Sequence, residues 1–176
     1  MGIFNTSILA AFGLVNVHFA RLELQLSLNT AKLIDPDDLG IGNIVTAGMD
    51  MRRTLDLFAS LVIHRTPLGL GLPGVDDIRN SLPQIISRMD QIRDKRNIIV
   101  HSYWESGEMA ASTPTAIRFK QGKSAKRGYE AAIETWTISQ LQEFVAEIQR
   151  ADEALREFVS LANRHMGLFP GSSDVL

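Results

Sequence analysis

Apolar residues recur at intervals of three and four over long stretches of this chain, and that periodicity restricts it to packed helices. From about Asn5 to Leu33 the recurrence runs Ile8, Phe12, Val15, Phe19, Leu22 and Leu26, which is one face of a helix. Glu23 sits directly beside this stripe. Asp35-Pro36-Asp37-Asp38 then breaks the pattern, since proline removes an amide donor and clashes with the preceding turn. A second helix is expected from Asn43 to His64, with Met51, Leu55, Phe58, Leu61 and Val62 on its apolar side. Asn80 or Ser81 is the natural cap of a third, which tolerates Pro83 in its first turn and runs to Val100. Ser139 opens the last helix, with Gln142 completing a capping-box pattern. Its stripe is Leu141, Phe144, Val145, Ile148, Leu155, Phe158 and Val159.

Between the third and last helices the composition shifts to Thr, Gly and aromatic residues. Thr115–Lys120 and Tyr129–Thr137 read as two strands around a turn over Gln121–Gly128. The expected fold is therefore mainly α: a four-helix up-and-down bundle with a small β-hairpin insertion, about 104–137, before the last helix. A length of 176 residues suits one domain, here 1–166, and the Pro/Gly/Ser-rich segment 167–176 reads as a loose tail. The formal net charge of −2 supplies no global basic field, so any nucleic-acid contact must be local. No cysteine is present, which excludes disulfides and thiolate metal sites and fits a reducing cytoplasm. Asn16 and His18 interrupt the most apolar run, short of the roughly 18 residues of a membrane span. No membrane association is expected.

The third helix breaks its own pattern. Leu82, Ile85, Ile86, Met89, Ile92, Ile99 and Val100 define its core side. At about 100° per residue, Arg93 and Arg96 fall within that stripe and Asn97 lies at its edge. Arg93, Asn97 and His101 follow one another at i, i+4. A charge in an apolar stripe is expensive without a partner, and a rule broken inside a good pattern is the mark of a functional site. The structural alternative is an ion pair of Arg96 with Glu23 or Asp56, and His101 capping the last carbonyls.

The segment Arg96-Asn97-Ile98-Ile99-Val100-His101-Ser102-Tyr103 resembles the signature of the HEPN superfamily. Its Arg-x4-His-x-Tyr form is similar to toxins of the HEPN/MNT toxin–antitoxin class. The resemblance covers roughly 5–103 and 139–165, and the inserted hairpin departs from minimal members. It implies a metal-independent, cofactor-free endoribonuclease built from two copies face to face, leaving 2′,3′-cyclic phosphate and 5′-hydroxyl ends. His101 would then serve as general base or acid. Arg96 would stabilise charge on the phosphorane-like transition state. Asn97 would orient the histidine or donate to phosphate, and Tyr103 would accept AMP from a partner nucleotidyltransferase antitoxin.

Supporting positions are Glu23 and Arg93, and the basic hairpin residues Arg118, Lys120, Lys123, Lys126 and Arg127 could track an RNA backbone. A solvated turn is the plainer account of that basic run. Trp104 and Trp136 are expected to pack the hairpin onto the helices. No His/Asp/Glu spacing matches a metal site. Two function classes stand: a ribonuclease, as toxin or antiviral effector, and a non-catalytic HEPN dimerisation module that binds nucleotide, RNA or protein.

Overall fold

The first apolar stripe builds α1 (Thr6–Ile34), which ends where Asp35 folds back to accept the amides of Asp37 and Asp38. A computed structural model describes residues 6–67, 74–109, 113–124 and 128–169, and in it the chain is mainly helical with one small antiparallel sheet. Its further elements are α2 (Leu39–Thr46), α3 (Met51–Arg65), α4 (Val75–His101), β1 (Tyr103–Met109), β2 (Thr113–Ser124), β3 (Gly128–Thr137) and α5 (Ile138–Met166).

Several expectations need correction. The single helix expected over 43–64 is two. Gly48 takes a left-handed φ of 84°, and Asp50 caps a new start by accepting the Arg53 amide at 2.9 Å. Pro83 lies well inside α4, which begins at Val75 with Asp76 and Asp77 favouring the positive end of its dipole. Ser81 does not cap: its hydroxyl donates back to the Asp77 carbonyl at 2.8 Å. The capping box of α5 exists two residues upstream of its expected place. The Thr137 amide donates to Gln140 Oε1 at 2.8 Å, and the Gln140 amide returns to Thr137 Oγ1 at 3.2 Å.

The hairpin is a three-stranded sheet of order β1-β2-β3. Tyr103 pairs with Phe119 in register at one end of β1, and Arg118 in β2 stands opposite both Trp104 and Glu134. The tail is docked at its start. Leu168 and Phe169 are buried, and the Phe169 amide donates to Asn163 Oδ1 at 2.9 Å. Residues 170–176 lie outside the described ones.

The chain divides into two compact units, and α1, α4 and α5 contribute residues to both. One unit comprises α1 up to Phe19 together with Asp94–Ile148. Its core is Ile8, Val15, Phe19, Ile99, Leu141, Phe144 and Ile148, and Trp104 packs there against Phe12 at 5.1 Å and Trp136 at 5.9 Å. The other unit, Ala20–Arg93 with the chain from Gln149 onward, is built around Phe58. The Phe158 and Phe169 rings lie 5.9 and 6.2 Å from it. Within that unit α2 comes very close to α1: a Cβ on Gly42 would run into the Ala31 carbonyl oxygen.

On its other sides α1 exposes Leu9, Leu14, Val17, Leu24 and Leu28. With both sides apolar it has the length and composition to cross a membrane, although Asn16 and His18 had argued against such a segment.

Candidate functional site

The candidate residues gather at the C-terminal end of α4. The helix persists to His101, so Asn97 and His101 stand one turn apart on one side of it. His101 is exposed and Asn97 is half-buried. Arg96 faces another way. Five residues before His101, it is rotated by about 140° around the axis. Its guanidinium lies 4.8 Å from the centre of the buried Phe19 ring, a cation–π contact on the core side as the stripe predicts. Its Nη1 donates to Asn97 Oδ1 at 3.3 Å, and its buried Nε finds no partner among the described residues. Within its own unit Arg96 is partnered by Asn97 and the Phe19 ring. Asp56 is exposed.

Glu23 belongs to the other unit. There it lines a cavity of about 220 Å³ with Leu24, Leu26, Ser27, Met49, Met51 and Thr54. Arg93 is held by Asp90 at 2.6 Å in that same unit. The structure therefore brings Arg96 to Asn97, and Asn97 to the side of His101. It does not bring Arg96 to His101.

Tyr103 is exposed on the sheet face opposite Trp104 and donates its hydroxyl to Glu105 Oε1 at 2.9 Å. That bond to the carboxylate, and then its charge, push the phenol above its ordinary value.

The basic hairpin divides. Arg118 is only 8% exposed and is paired, so it is not a solvent-facing contact for an RNA backbone. Lys120 and Lys123 hold register positions opposite Ala132 and Tyr129. Lys126 and Arg127 lie outside the described residues.

Sequence reasoning missed what surrounds the end of α4. Arg118 Nε donates to Ser102 Oγ at 2.7 Å, and Nη1 donates to Glu134 Oε2 at 2.6 Å. Trp104 Nε1 donates to the Ile99 carbonyl at 2.7 Å. Strand alternation could have found this, because it puts Trp104, Ala116, Arg118, Glu134 and Trp136 on one sheet face. Nearby, Lys95 ties α4 to α5 through Glu147 at 2.8 Å and stacks 4.6 Å over Phe144.

Among the described residues no three His, Asp or Glu side chains are grouped to hold a metal ion. The available chemistry is that of one exposed imidazole, one amide side chain fixed by an arginine, and one exposed phenol. The chain matches no protein-family model, no curated protein and no solved structure.

Proposed function

We propose that this chain is a metal-independent endoribonuclease of the HEPN type, acting in the cytoplasm as a homodimer. The observation that carries the reading is the end of α4, where an exposed His101 follows Asn97 by one turn and Arg96 grips Asn97. Since Asn97 Oδ1 accepts from Arg96, the Nδ2 amide is the end left to donate, and a phosphate oxygen is what it would meet. On this reading His101 takes the proton from a ribose 2′-hydroxyl. The 2′-oxygen bonds to the neighbouring phosphorus and the bond from phosphorus to the 5′-oxygen breaks. The partner subunit's His101 supplies the proton to that leaving oxygen. The products are a 2′,3′-cyclic phosphate and a 5′-hydroxyl. Arg96 then contributes through Asn97 within one protomer. Tyr103, with its exposed hydroxyl, is the proposed acceptor for modification by a nucleotidyltransferase partner.

The second reading is a non-catalytic dimerisation module. The turned-away guanidinium of Arg96 favours it, because that charge is spent on Phe19 and Asn97.

One experiment separates the two. Purified wild type and His101→Ala are incubated with RNA in EDTA, and the product ends are identified. The ribonuclease reading expects cyclic phosphate ends from wild type and a loss of about 10²–10⁴-fold in His101→Ala. It also expects a dimer by light scattering at micromolar concentration. Cleavage by folded His101→Ala at the wild-type rate, or cleavage that needs magnesium, refutes it.

A further inference from the structure

The proposed proton-transfer group stands at a joint. α4 ends at His101, β1 starts at Tyr103, and Ser102 alone lies between them. The last carbonyls of a helix have no partner within it, and such ends fray unless other groups hold them. Two side chains of the sheet hold this one. Trp104 Nε1 takes up the Ile99 carbonyl. Arg118 reaches across from the central strand to the hydroxyl of Ser102 while its other arm grips Glu134. Ser102 precedes Trp104 by two residues, so it lies diagonal to Arg118 on the same face, within reach of a long side chain.

A buried arginine in a small sheet calls for a reason. A buried ion pair is weak evidence of stability, because apolar residues of similar size often do as well. What a guanidinium adds is direction: its planar fork fixes the geometry of every partner it bonds. Here one partner anchors Arg118 to β3 and the other is the joint itself.

We propose that Arg118 is a positioning residue: bonded at once to Glu134 and Ser102, it holds the joint that carries His101 and so sets where the imidazole stands. The inserted sheet is then part of the site's machinery. The inference rests on the reading of His101 as the group that moves protons.

The test uses the full chain. Ser102→Ala deletes the acceptor and leaves the Arg118–Glu134 pair intact, so the sheet keeps its anchor. Ser102→Thr keeps a hydroxyl. Amide hydrogen exchange from Ile99 to Trp104, the nitrogen NMR signals of the His101 imidazole, and kcat and KM for RNA cleavage are measured on both. Ser102→Ala is expected to speed exchange about tenfold or more and to move the His101 imidazole signals. It should lower kcat by about 10- to 100-fold with KM within about twofold. Ser102→Thr restores all three. Unchanged exchange and unchanged His101 signals in Ser102→Ala overturn the positioning role, whether or not RNA is cleaved. If exchange rises but His101→Ala cleaves like wild type, it is the reading of His101 that fails, and the positioning role falls with it.

Discussion

Arg96→Met replaces a guanidinium in the apolar stripe with a neutral chain of similar length, and its effect on stability follows from three contacts. The cation–π contact with Phe19 at 4.8 Å is lost, at about 0.5–2 kcal/mol. The bond to Asn97 at 3.3 Å is long and sits near the low end of about 0.5–1.5 kcal/mol. Against these, the buried Nε with no partner among the described residues disappears, relieving about 1–3 kcal/mol. Methionine keeps most of the apolar contact along the stem. The terms nearly cancel, so Arg96→Met should fold with a stability within about 1 kcal/mol of wild type. Arg96→Ala also removes the stem, and should be less stable than Arg96→Met by about 2 kcal/mol. Urea unfolding at one fixed protein concentration reads both, as a shift in midpoint at unchanged slope. A guanidinium holding a buried carboxylate would instead cost about 3–5 kcal/mol when removed. A loss of that size in Arg96→Met would refute the account of Arg96 as partnered by a ring and an amide. If Arg96→Met is both stable and inactive on RNA, the arginine is retained at α4 for chemistry rather than for folding.

Two glycines should respond in opposite directions. Gly42→Ala drives a methyl into the Ala31 carbonyl oxygen and should cost about 1–3 kcal/mol, seen as a melting temperature lower by several degrees. Gly13→Ala meets nothing within 4 Å in mid-helix and should stabilise by about 0.5–1 kcal/mol; a loss there would show that another surface covers it. Tyr103 should ionise at higher pH than a free phenol, because phenolate beside the Glu105 carboxylate is disfavoured and the neutral phenol donates to it. Glu105→Gln should move that transition to lower pH in ultraviolet titration, read in a Tyr129→Phe background, and no movement would show that Glu105 is not the cause.

The long helices were legible because burial alone sets their period: Ile8, Val15, Phe19, Leu22 and Leu26 all pack as the spacing implies. What stayed hidden was local. The break between α2 and α3 is one case: Ala47 turns extended, with ψ 122°, and Gly48 then takes a left-handed φ. Pro83 carries a strong expectation of a helix start, yet α4 has already run two turns by then. β1 contains Ser106 and Gly107, which weaken any strand signal, and it is secured by its ladder to β2 instead. For the site, the stripe puts Arg96 on the core side, where its guanidinium meets Phe19, while the helix expected to end at Val100 reaches His101. The stripe could not predict that Arg96 would choose Asn97, since a side chain's partner depends on tertiary neighbours. Arg118 was read as surface for a related reason. It heads a sequence segment that also carries Lys120, Lys123, Lys126 and Arg127, while its neighbours in space are Ser102 and Glu134.

The single-residue link at Ser102 gives this region no tolerance for changes of length. Side chains alternate along β1, so one residue inserted after His101 would turn Trp104 out to solvent and Tyr103 in toward Phe12 and Trp136. A one-residue deletion would do the same from the other direction. Loops elsewhere in the molecule can absorb an insertion, since long connections cost little extra entropy. Here the distance in sequence between imidazole and indole is itself under constraint. Relatives of this chain should therefore vary around His101 by exchange of residues, and differ in length only beyond the far ends of the strands.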